Sequence, residues 1–94
     1  MTKVVRQRSL SVVVSGKFGL GEVQHMSERL AARGTVKLTM FSAAGTSEHT
    51  KDDVAMFDLA TPASDTELRH LLKHVSGVTQ VTLREANNAR NLVA

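Results

Sequence analysis

Ninety-four residues, 41% hydrophobic and 22% charged, make a chain of one-domain length, and the lack of cysteine leaves packing rather than disulfides or thiolate metal sites to stabilise it. Its formal charge of +3 is scattered along the chain and its only aromatics are three phenylalanines, so the clustered bases and stacking rings of a nucleic-acid module are missing. No apolar run approaches the roughly 20 residues that cross a bilayer, and no signal-peptide pattern opens the chain.

Residues 1–9 place Lys3, Arg6 and Arg8 around Val4 and Val5 and predict a basic, flexible lead-in. Leu10, Val12 and Val14 then alternate with Ser11, Val13 and Ser15, a period-two run that predicts a first strand. Gly16, Gly19 and Gly21 interrupt it. Val23, Met26 and Leu30 recur at helical spacing, which predicts a helix from near Gly21 to Arg33, with Gly34 as a left-handed stop. From Thr35 the alternation returns: Val36, Leu38 and Met40 fall on one side, Lys37, Thr39 and Phe41 on the other, and a second strand ends near Ala43.

The stretch 44–52 is too polar to bury, and Val54, Met56, Phe57 and Leu59 resume an extended run, so the second and third strands read as a long hairpin closed by Pro62. Ser64 and Glu67 have the spacing of a capping box, and Leu68, Leu71, Leu72 and Val75 supply the apolar stripe of a second helix. Gly77 ends that helix. Thr79, Val81 and Leu83 then alternate with Gln80, Thr82 and Arg84 as a fourth strand, and residues 86–94 carry little periodicity and predict a frayed tail. The order is βαββαβ over residues 10–85. It predicts an α+β fold, the ferredoxin-like plait: a four-stranded antiparallel sheet with two helices on one face.

The chemistry-bearing residues are sparse. His70 and His74 lie four apart on the second helix, a spacing that can present two imidazoles to one metal, but no third ligand is evident and the apolar stripe turns His70 and Glu67 toward solvent. A solvated helix face is the expectation, with no metal site. Glu48, His49, Asp52 and Asp53 lack anything that fixes a cation geometry and read as loop solubility. The glycine run 16–21 sits between strand and helix, where amides can hold an anion, yet it matches neither dinucleotide nor P-loop spacing. Two readings stay open there: a carboxylate or amino-acid site, or glycines that merely permit a tight turn and close helix packing. The serines include no nucleophile elbow. No catalytic residue and no cofactor are expected, and the chain is predicted not to be an enzyme.

The segments Gly19-Leu20-Gly21-Glu22-Val23 and Val75-Ser76-Gly77-Val78-Thr79-Gln80-Val81 resemble the ACT-domain family, whose Pro-Gly-x-Leu-x-x-Val turn opens the first helix and whose Gly-Val motif opens the last strand. Lys17 and Phe18 stand where that family has an acidic residue and a proline. The resemblance implies Gly19 and Gly21 as ligand-loop positions and a small regulatory module. Within the wider group, the chain looks most like the ACT-like C-terminal cytosolic domain of the MgtC/SapB membrane proteins, bacterial virulence factors associated with growth at low magnesium and survival in macrophages. That implies a non-enzymatic regulatory or protein-interaction domain on the cytoplasmic side of the inner membrane, with Lys3, Arg6 and Arg8 flanking a preceding membrane helix. The contacts implied are with a protein partner or in a homodimer, through the sheet face or an edge strand. The alternative implied is a free-standing ACT-type module that binds an amino acid.

Overall fold

The structure, a computed structural model, describes residues 7–43 and 52–85. Lys3 and Arg6 of the predicted lead-in 1–9, Glu48 and His49 of the polar loop, and the tail 86–94 lie outside these residues, whereas Arg8 and Ser9, counted in that lead-in, belong to the first strand. Along the chain run β1 (Arg8–Gly16), α1 (Leu20–Ala31), β2 (Thr35–Ser42), β3 (Asp53–Thr61), α2 (Asp65–Lys73) and β4 (Val78–Glu85). The four strands form one sheet in the order β2-β3-β1-β4, and every neighbouring pair is antiparallel. This is the ferredoxin-like plait that the alternation predicts.

Alternation fixes which side chains enter the core, because successive residues of a strand point to opposite faces. Leu10, Val12 and Val14 of β1, Ala55, Phe57 and Leu59 of β3, and Val81 of β4 are buried on one face. Val23, Met26 and Leu30 of α1, and Leu68 and Leu72 of α2 followed by Val75, lie over them and complete an aliphatic core around Phe57. Fully burying one such side chain stabilises the fold by about 1.5–3 kcal/mol, so two helical stripes against three strands supply the main driving force.

Helix ends follow local chemistry. The Ser64 hydroxyl accepts the Glu67 amide at 3.2 Å, but the Glu67 carboxylate pairs with Arg33 instead of returning to the cap, so only half of the predicted capping box forms. On α1, by contrast, the Glu22 carboxylate folds back onto the Gly19 amide at 2.8 Å. Gly34 does not have the left-handed conformation expected of it: Ala32 caps α1 in a right-handed conformation, and among the described residues only Gly16 and Gly77 have positive φ. The reason for Gly34 is proximity. A Cβ there would stand 2.0 Å from the Ala60 carbonyl oxygen, where the α1–β2 turn passes the end of β3.

A second close approach joins the start of β4 to the end of β1. Gly77 has φ +88°, and a Cβ on it would stand 1.9 Å from the Lys17 carbonyl oxygen, while a Cβ on Gly16 would stand 2.0 Å from the Gly77 oxygen. The Lys17 amide donates to that same Gly77 oxygen at 2.8 Å, and the β1–β4 register shifts between Ser15 and Gly16. Here both glycines are required by backbone contact.

Two polar residues lock the opposite end. Thr61 is wholly buried, and its hydroxyl donates to the Arg33 carbonyl at 2.7 Å and accepts the Ala63 amide at 3.0 Å, joining α1's exit to the β3–α2 turn. Arg8 lies within β1 and pairs with Asp65 at 2.9 Å and Glu85 at 3.3 Å while donating to the Ala63 carbonyl. It therefore ties β1 to α2 and β4.

Candidate functional site

The helices cover one face of the sheet, and no helix or strand among the described residues packs on the other. Its rows follow from the strand registers. Met40, Met56, Val13 and Thr82 lie side by side across β2, β3, β1 and β4, and Lys37, Asp58, Ser11 and Arg84 form the next row; a register shift between Leu38 and Met40 turns Met40 to this face, away from Val36 and Leu38 with which simple alternation groups it. The first row is apolar over three strands, with Met40 42% exposed, and the second carries charge at both edges and at β3. Lys37 and Asp58 are direct cross-strand partners, yet no ion pair joins them. Beside them a groove of about 410 Å³ is lined by Ser9, Thr35, Lys37, Asp58 and Ala60. An apolar band flanked by unneutralised charges can take up a complementary protein surface, because the band supplies burial and the charges set register.

The loop after β1 is arranged differently. The Phe18 amide donates to Asp53 Oδ2 at 2.8 Å, Lys17 pairs with Asp52 at 3.3 Å, and the Phe18 ring sits 6.3 Å from that of Phe41. Asp52 and Asp53, read from sequence as solubilising loop residues, thus hold the loop against the start of β3. Gly19 caps α1 and gives its amide to Glu22, whose pKa is lowered, first by that hydrogen bond from Gly19 and next by its own backbone amide. Gly21 lies in the first turn of α1, with no atom within 4 Å of the place a Cβ would occupy. The two positions that the family resemblance marks are therefore neighbours in space, but the Phe18 and Gly19 amides already serve carboxylates of the chain itself. Neither Gly19 nor Gly21 is needed for close packing. The turn-and-packing role belongs to Gly16.

His70 and His74 lie exposed on α2 and at its C-cap, with their Nε2 atoms 3.1 Å apart. No group of three or more metal-ligating side chains gathers among the described residues. No helix among them is long and apolar enough to cross a membrane. Sequence reading missed the roles of Asp53, Thr61 and Arg8, whose partners lie 35, 28 and up to 77 residues away. Only the opposite charges of Arg8 and Glu85 were available as a signal, and charge alone does not choose a partner.

No family model matches the chain, and no curated protein matches it. Solved structures do. The P2 domain of the chemotaxis kinase CheA from Thermotoga maritima, solved in complex with the response regulator CheY, is 14% identical with a TM-score of 0.58, over 85% of this chain and 99% of that one. The C-terminal domain of MgtC from Mycobacterium tuberculosis is 15% identical with a TM-score of 0.54, over 95% of this chain and 97% of that one. The chain thus resembles the MgtC C-terminal domain across nearly its whole length and shares its fold.

Proposed function

We propose that this chain is a non-enzymatic regulatory domain that works by protein contact through its open sheet face, as the cytosolic domain of an MgtC-like bacterial membrane protein. The observation that carries this reading is the end-to-end likeness to the MgtC C-terminal domain, 95% of one chain on 97% of the other. A match that leaves almost nothing over on either side is what a domain of the same architecture gives. The open face offers a surface for such contact, with Met40, Met56 and Val13 for burial and Lys37, Asp58 and Arg84 for register. The CheA P2 domain, similar in fold, was solved in complex with another protein, which supports a plait of this kind serving as a docking module.

On this reading the domain sits on the cytoplasmic side of the inner membrane, and any part in growth at low magnesium or survival in macrophages is exerted through its protein contacts. The alternative is a free-standing ACT-type module that binds an amino acid at Gly19 and Gly21. Gly21 leaves room there. Against it, an incoming carboxylate would have to displace Asp53 from Phe18 or Glu22 from Gly19, and would meet their negative charge while doing so.

An antibody to this domain, used on fractionated source cells, tests the proposal. A membrane-fraction species larger than 10.2 kDa is expected, whereas a soluble species at 10.2 kDa would overturn the membrane assignment. Titration with the common amino acids, read by amide shifts, separates the alternative: shifts gathered at Gly16 to Val23 would establish it.

A further inference from the structure

We infer that His70 and His74 form a two-imidazole chelate for a divalent first-row transition ion of the zinc, nickel or copper class. The spacing alone is compatible with a solvated helix face, but the structure adds convergence. The two Nε2 atoms approach to 3.1 Å, with the rings at 81° to each other and their centroids 4.4 Å apart. An ion at the usual zinc–imidazole distance of about 2.0–2.1 Å from both nitrogens would subtend roughly 98° between them across that 3.1 Å separation. This lies between the about 90° of octahedral and the about 109° of tetrahedral sites, so the separation of the two nitrogens suits one shared ion once the rings turn their lone pairs toward it.

The surroundings fit a cation better than the helix composition suggests. Arg69 and Lys73 flank the pair in sequence, but Arg69 donates to the Val81 carbonyl at 2.7 Å and Lys73 to the Thr79 carbonyl at 3.4 Å, so both charges lean toward β4. The Glu67 carboxylate, one turn earlier on the same side of α2, is engaged by Arg33. The chelate therefore has two protein ligands, and water fills its remaining positions. Both imidazoles are exposed, which leaves the approach open.

Without metal, one ring can donate its Nε2 proton to the other. Binding needs both lone pairs, so that proton moves through water to Nδ1 of the same ring and the chelate forms with no net proton change from a neutral pair. Imidazole pairs favour zinc, nickel and copper, whereas magnesium prefers oxygen ligands and keeps its water. Spanning one helical turn, the ion also clamps the last turn of α2 and stabilises the folded chain by mass action.

The test is titration of the full chain with zinc and with nickel in a non-coordinating buffer, following the histidine ring resonances and the thermal midpoint. One ion per chain is expected, with shifts confined to His70 and His74 and a rise in the midpoint. His70→Ala and His74→Ala should each weaken binding by at least about tenfold, since even the partners of metal ligands are worth about 10–100-fold. His25→Ala should bind as the parent chain does, magnesium should leave the resonances unmoved, and circular dichroism should show all three variants folded. Absence of saturable binding would overturn the inference. So would binding that survives His74→Ala, or that is lost in His25→Ala.

Discussion

The two faces of the sheet are built from the same strands and differ in what a substitution on each should disturb. On the inner face Val12, Val14 and Phe57 are fully buried in the core that α1 and α2 complete. On the outer face their sequence neighbours Ser11, Val13 and Met56 are only partly covered, and Ser11 and Ser15 on either side of Val13 limit the apolar patch there. The inner face specifies the fold; the outer face is left free to meet another molecule. An apolar row on the outer side adds little to folding, and the proposed protein contact would draw on it.

That contrast can be broken most severely at the centre. Phe57→Ala should lower stability by about 3–5 kcal/mol in urea unfolding, whereas Met56→Ser, one residue along on the other face, should stay within about 0.5 kcal/mol. Equal costs would mean that the outer face is covered within the isolated chain. Among the glycines the same logic holds. Gly77→Ala forces a side chain into φ +88° and against the Lys17 carbonyl and should cost about 1–3 kcal/mol or more, read as a lowered thermal midpoint. Thr61→Val leaves the Arg33 carbonyl and the Ala63 amide without their partner in the interior and should cost about 1–3 kcal/mol.

The element order was legible because alternation and the 3.6-residue period report burial directly, and β1, β3 and α2 each show a single clear pattern. What stayed hidden depends on chain crossings. Gly34 looked like a helix stop since a glycine after a helix often is one; its true constraint is the Ala60 carbonyl, which only the folded chain brings near. Glu67 satisfies the capping pattern, yet Arg33 reaches it across the helix pair. The family resemblance implies contacts through the sheet face or an edge strand, but the cross-strand pairing of Lys37 with Asp58 follows from register, which alternation leaves undetermined by any even number of residues.

Smaller effects sharpen the comparison at the β1–α1 loop. Gly21→Ala meets open space in the first turn of α1 and should stabilise the chain by about 0.4–1 kcal/mol, the opposite sign to Gly77→Ala. A loss of stability would show that the position is held for backbone reasons not seen in the contacts. Glu22 has a lowered pKa when folded, so its contribution is present above the unfolded value and fades as pH falls through the lowered folded value. Glu22→Gln should therefore lower stability slightly at neutral pH and leave the most acidic end unchanged, which flattens the acid limb. An unaltered acid limb would show that the bond to Gly19 adds nothing in solution.

The central claim, that the domain acts by protein contact through its open sheet face, is tested most directly by photo-crosslinking in the source cells. A benzophenone side chain would be placed at exposed Lys37 on the sheet face and, separately, at exposed Gln24 on α1. The account predicts a discrete higher-mass adduct from position 37 and none from position 24. No adduct from the sheet face, or the same adduct from both positions, would contradict it.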